Sequence, residues 1–154
     1  MVSIAKAAAE LGMRSVKLTG GEPLLRKDLD LIIARIPQSL DISITTNGIL
    51  LAERAEALAR AGLDRVNVSL DSLQPNRYCQ ITGGRPGDLE RVLAGIDASR
   101  EADLLPLKLN FVVLKRNESE VPEMIDFCRR RGLILQLIEL LDIQGQGISG
   151  DIEG

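Results

Sequence analysis

The chain has 154 residues, 45% of them hydrophobic and only 2% aromatic, with 19 Lys+Arg against 22 Asp+Glu and a net charge of −3. That length fits one domain with a core of Leu, Ile, Val and Ala, and the charge balance offers no basic field for nucleic acid. With no histidine and two cysteines, Cys79 and Cys128, far apart, Ser-His catalysis and His–metal sites are excluded, as is an iron–sulfur cluster held by this chain alone.

Helices and short apolar strands alternate along the chain. Ile4, Ala7, Ala8 and Leu11 have the spacing of a helical stripe, and Gly12 stops that helix. A strand is expected at residues 15–18. Leu29, Ile32, Ile33 and Ile36 form the next stripe, ended by Pro37. Residues 41–45 read as a strand with a turn at Asn47-Gly48, and residues 51–61 as an Ala-rich helix closed by Gly62. A strand at 65–70 precedes a short helix at 75–82. Leu89, Val92, Leu93 and Ile96 make another stripe, followed by a strand at 107–114. Asn117 and Glu120 have capping-box spacing for a helix with Val121, Met124, Ile125 and Cys128 inward. The last strand is expected at 133–140. Residues 142–154 are Gly-rich without a period and are expected to be a flexible tail. The organisation is therefore a core at 1–141 plus that tail.

Repeated β–α units predict a parallel sheet of about five strands with helical cover, an α/β fold. Polar residues gather at the strand C-terminal ends: Thr19 and Glu22, then Thr45, Thr46 and Asn47, then Ser69 and Asp71, and finally Glu139. Ligands of such folds bind at that edge. Singly, Asn47-Gly48 is a turn and Asp71 a helix cap; their collection on one edge points to a site. The segment V-K-L-T-G-G-E-P-L-L-R-K-D carries most information. Gly20 and Gly21 let backbone pass close to a ligand, Glu22 suits an ammonium group, and Pro23 fixes the exit direction.

These residues resemble a known family. The G-G-E-P motif is similar to that of radical SAM enzymes, where it holds the amino group of S-adenosylmethionine. The runs I-T-T-N-G-I-L-L, V-N-V-S-L-D-S-L-Q-P-N-R-Y-C-Q-I-T-G, L-K-L-N-F-V-V-L-K and L-I-L-Q-L-I-E-L, in this order, resemble the GTP 3',8-cyclase family of molybdenum cofactor biosynthesis. The likeness covers residues 4–142. It implies a partial parallel (βα) barrel and a lyase that converts GTP to 3',8-cyclo-7,8-dihydro-GTP with S-adenosylmethionine and a 4Fe–4S cluster. Carried over by position, it implies S-adenosylmethionine contacts at Gly20, Gly21, Glu22, Ser69 and Leu141. GTP contacts fall at Lys17, Thr45 and Lys108. The plainer reading of Lys17 and Lys108 is as solvated strand-end charges.

The sequence departs from the family pattern in several places. It has no C-x-x-x-C-x-x-C cluster loop and no second three-cysteine cluster, so no catalytic or metal-binding residue is assigned. Lys17 and Gln136 stand where the family usually has Arg, and Leu141 where it has Met. The isolated chain is therefore expected to be inactive. Two other readings stay open: a cluster-free module binding nucleotide or S-adenosylmethionine, and part of a peptide-modifying radical SAM enzyme. No run is apolar enough to span a bilayer and no secretory signal is seen, so a cytoplasmic protein is expected, with no membrane or nucleic-acid partner. The outer strands would be exposed edges that favour self-association or a partner supplying a strand.

Overall fold

The computed structural model describes residues 1–140. The expected tail at 142–154, and Leu141 with it, lie outside the described residues. The elements in chain order are α1 (Val2–Glu10), β1 (Ser15–Leu18), α2 (Leu29–Ile33), β2 (Asp41–Thr46), α3 (Leu51–Arg60) and β3 (Arg65–Ser69). They continue with α4 (Pro75–Thr82), α5 (Asp88–Glu101), β4 (Lys108–Val113), α6 (Val121–Arg131) and β5 (Ile134–Glu139).

All five strands form one parallel sheet in the order β1-β2-β3-β4-β5. Each strand lies beside the one before it, and crossovers of one hand bring the helices to a single face. This is the α/β partial barrel that the sequence predicts, with β1 and β5 at its two edges.

Strand alternation divides the sheet into two faces. On one, Ile42, Ile44, Val66, Val68, Leu109 and Phe111 are buried with the helices and form the core. Each such side chain stabilises the fold by about 1.5–3 kcal/mol relative to exposure. The opposite face carries Lys17, Ser43, Thr45, Asn67, Ser69, Lys108 and Asn110. Buried parallel strands usually read as continuous apolar runs. Here they alternate, because one face packs on helices and the other is polar.

Close backbone packing fixes the centre. Gly48 follows β2 with φ +80 and is buried, and a Cβ there would lie 3.0 Å from Val68 and 3.1 Å from Val92. Gly95 on α5 is tighter still: an added Cβ would sit 2.7 Å from the Gly48 carbonyl oxygen and 2.8 Å from the Leu51 Cβ. The helix α5 thus rests directly on the turn between β2 and α3.

Three expectations need correction. The α1 stripe does not face the core: Ala5 is buried there, whereas Ile4 is 72% and Leu11 84% exposed. The helix lies at the sheet edge, and no described element covers its outer side. On α6 the buried residues are Met124, Phe127 and Cys128, and Ile125 points outward at 46% exposure. The Met124, Phe127, Cys128 spacing is the truer i, i+3, i+4 stripe, and Arg131 completes it by stacking its guanidinium over the Phe127 ring. The capping box at Asn117 and Glu120 does not form. A 3-10 turn over Glu118–Glu120 intervenes, Pro122 sits in the first turn of α6, and the side chains bond elsewhere, Glu120 to the loop after β3 and Asn117 to that loop and to the end of its own strand β4.

Candidate functional site

The sheet register decides which expected residues meet. Lys17 pairs with Ser43, Thr45 with Asn67, Asn67 with Lys108, and Ser69 with Asn110. Paired residues in a parallel ladder share a face, as do residues two apart on a strand. Lys17, Thr45, Ser69 and Lys108 therefore all occupy the polar face. Lys108 opens its strand, yet the stagger of the sheet puts it level with Thr45, near the end of β2. Among the described residues neither Lys17 nor Lys108 is held in a salt bridge. At the opposite end of the sheet, by contrast, the Arg65 guanidinium is spent on Asp41 at 2.7 Å.

Gly20, Gly21 and Glu22 leave β1 at the same C-terminal edge. A Cβ on either glycine would meet nothing within 4 Å, so the backbone there lies open to an approaching group. The Glu22 carboxylate is largely occupied from within. Its Oε1 accepts from the Leu24 N–H at 2.9 Å and the Thr46 hydroxyl at 2.7 Å, and its Oε2 accepts from the Asn47 N–H at 2.8 Å. A carboxylate has about four acceptor positions, so one remains, on Oε2, for an outside donor. Arg54 of α3 pins the next stretch, donating to the carbonyls of Leu24 and Arg26, each at 2.7 Å. The glycine loop is thus tied to β2 on one side and to α3 on the other.

Asp71 is not the helix cap that the sequence implied. Its carboxylate accepts from the Val112 N–H at 2.8 Å, across to β4. Burial pushes its carboxyl above the usual range, opposed by that hydrogen bond.

Three further residues of this face escaped the sequence reading: Ser43, Asn67 and Asn110. The signal was the alternation in S-I-T, N-V-S and K-L-N-F. Asn110 stands out, because its side-chain oxygen is buried without a hydrogen-bond partner. A buried acceptor without a donor is costly, and this one sits between Ser69 and Gln136 in the ladder. Of the expected S-adenosylmethionine residues, Leu141 lies outside the described residues.

The cysteines do not form a metal site. Cys79 is half-buried in α4 and Cys128 is buried in α6, where burial pushes its thiol up. Among the described residues no group of three or more Cys, Asp or Glu is placed to hold a metal ion. No helix among them is long and apolar enough to cross a membrane.

The model of the radical SAM superfamily matches residues 1–128. The chain belongs to the radical SAM superfamily. It is 56% identical over 144 residues to a probable GTP 3',8-cyclase of Methanosarcina mazei, covering 92% of this chain and 43% of that protein. A probable GTP 3',8-cyclase of Methanocella arvoryzae is 49% identical, with 94% of this chain and 47% of the relative covered. The chain spans less than half the length of the curated relatives it matches. Among solved structures, the AdoMet-bound anSMEcpe superposes with a TM-score of 0.72 at 19% identity, covering 92% of this chain and 42% of that one. The HemN coproporphyrinogen III oxidase of Escherichia coli, a radical SAM enzyme, superposes with a TM-score of 0.59 at 16% identity, covering 91% and 36%. This likeness confirms the fold.

Proposed function

We propose that the chain is part of a GTP 3',8-cyclase whose polar sheet face binds S-adenosylmethionine and GTP side by side. The observation that carries the reading is the register. It sets Lys17, Thr45 and Lys108 on the same face as Ser69, with the Gly20-Gly21-Glu22 loop at the same edge. The relatives at about half identity are named for that activity.

The residues present fit S-adenosylmethionine. The open glycine backbone can receive its amino-acid end, the remaining Glu22 acceptor suits its ammonium, and Ser69 and the orphan Asn110 oxygen offer groups for ribose hydroxyls. When bound, S-adenosylmethionine would supply the radical chemistry, and the chain binds and orients. Lys17 and Lys108 bring two mobile positive charges and Thr45 a hydroxyl, a set suited to a triphosphate and its ribose.

The residues present do not fit a 4Fe–4S cluster, since the two thiols sit in different helices and a cluster takes three or four. The polypeptide of 154 residues is therefore inactive alone, and cyclisation requires thiolates from elsewhere.

Calorimetric titration of the chain with S-adenosylmethionine, GTP and guanosine tests the proposal. Saturable binding of the first two, with guanosine weaker than GTP because it lacks the triphosphate that suits Lys17 and Lys108, is the expected result. Absence of both, or guanosine binding as tightly as GTP, would count against it.

A further inference from the structure

The β3–β4 ladder ends at the pair Ser69 and Asn110, whereas the β4–β5 ladder runs on to Val113 and Glu139. The two strands part at the two residues that face the site. Just beyond, the Leu70 N–H still reaches the Asn110 carbonyl at 3.0 Å. After that, side chains replace the missing strand. Asp71 accepts from the Val112 N–H at 2.8 Å. The Asn117 amide donates to the Val112 and Asp71 carbonyls, each at 2.9 Å, and accepts from the Leu114 N–H at 2.7 Å. Glu120 then receives the Ser72 hydroxyl at 2.9 Å, the Leu73 N–H at 2.8 Å and Arg77 at 2.6 Å.

Ser72 and Asn117 are fully buried and Glu120 is 2% exposed. Buried polar groups are tolerated only when satisfied, and a satisfied network fixes one geometry more sharply than apolar packing does. Both loops leave the sheet directly after the strand stretch that carries Ser69 and Asn110. Any slip between them is passed to those two side chains.

We propose that Asn117 and Glu120 are positioning residues, a polar latch that sets Ser69 and Asn110 for a ligand where β3 and β4 part. The inference rests on the reading of the polar face as a ligand site, but the latch can be judged without a ligand.

The test uses the full chain, isotope-labelled, as wild type, Asn117→Ser and Glu120→Gln, with Leu40→Ala, a core truncation at the opposite end of the sheet, as a destabilised control distant from the latch and the glycine loop. In wild type, three-bond couplings should show single χ1 rotamers at Ser69 and Asn110, and titrated S-adenosylmethionine should shift the Asn110 side-chain amide signals. Asn117→Ser should average both rotamers, speed exchange at Val112 and Leu114, leave Val66 slow, and weaken binding about tenfold, the size of one buried hydrogen bond. Glu120→Gln, which keeps the shape but only one of the two acceptor oxygens, should average the rotamers in part, speed exchange at Leu73 and weaken binding less than Asn117→Ser does. Unchanged rotamers in Asn117→Ser, or an equal affinity loss in Leu40→Ala, would overturn the latch. If wild type binds nothing, the ligand reading fails. The latch then stands or falls on the couplings alone, standing if only the variants average. Should Asn117→Ser not fold, Glu120→Gln decides: partial averaging and faster exchange at Leu73 support the latch, and wild-type behaviour at both overturns it.

Discussion

The Thr46 hydroxyl donates to Glu22 Oε1 at 2.7 Å and accepts from the Gly48 N–H at 3.0 Å. One hydroxyl thereby links the glycine loop after β1 to the turn after β2. Replacing Thr46 by Val keeps the shape and removes both bonds. The buried Gly48 N–H would lose its partner, so Thr46→Val should cost about 1–3 kcal/mol in denaturant unfolding. It should also weaken S-adenosylmethionine more than GTP, because the glycine loop is loosened while Lys108 stays in place. Equal losses for both ligands would separate Thr46 from the loop.

Gly95 should not tolerate a side chain. Alanine is the better helix former by about 1 kcal/mol, so propensity alone favours Gly95→Ala. The added Cβ would stand 2.7 Å from the Gly48 carbonyl, and backbone cannot yield as a flexible side chain can. Overpacking costs about 1–3 kcal/mol, so a net loss is expected in thermal or denaturant unfolding. A more stable Gly95→Ala would show that α5 can lift from the β2–α3 turn.

The two lysines should act on the phosphate-bearing ligand. Lys17→Met and Lys108→Met should each weaken GTP by about threefold to tenfold, with the larger effect at the half-buried Lys108, because exposed charges are screened by solvent. Both losses should shrink as salt rises. S-adenosylmethionine binding should hardly change. A Lys108 variant that loses both ligands equally would place its effect in the fold.

Much of this architecture was legible because local rules agreed. The strands, their order and the gathering of Glu22, Thr45 and Ser69 on one edge followed from β–α alternation, glycine stops and strand-end polarity. The polar face could also have been read: Ser43, Asn67 and Asn110 alternate with fully buried apolar neighbours. The latch could not. Asn117 and Glu120 have capping-box spacing, and only the tertiary approach of the loop after β3 makes Asp71 and Ser72 better partners. Likewise Glu22 reads as a free carboxylate until β2 supplies Thr46 and Asn47 as donors. The exposure of Ile4 depends on what covers α1, which its own helical period does not state.

Anaerobic reconstitution with iron and sulfide should yield no stoichiometric cluster and no 5'-deoxyadenosine from the isolated chain. The half-buried Cys79 and buried Cys128 lie in α4 and α6, and two thiols fall short of the three or four a cluster takes. Visible absorbance with product analysis reads the outcome directly. A cluster at full occupancy would mean that a different donor set assembles, and the inactivity of the chain would have to be abandoned.

The sheet edges should govern self-association. Strand β5 pairs only with β4 among the described residues, and its Ile134 and Leu137 are 44% and 47% exposed. At the other edge β1, among the described residues, pairs only with β2. Unpaired N–H and C=O groups beside apolar side chains invite a further strand. The chain should therefore sediment as oligomers at micromolar concentration, or as a complex once a strand-supplying partner is added. Leu137→Lys puts a charge on that edge, the device natural edge strands use against pairing, and should shift the distribution toward monomer with little loss of stability. Leu58→Lys, in the core, would instead unfold the chain and serves as the contrast. A stable wild-type monomer with cooperative unfolding would show that both edges are already protected, and the argument for a strand-supplying partner would fall with it.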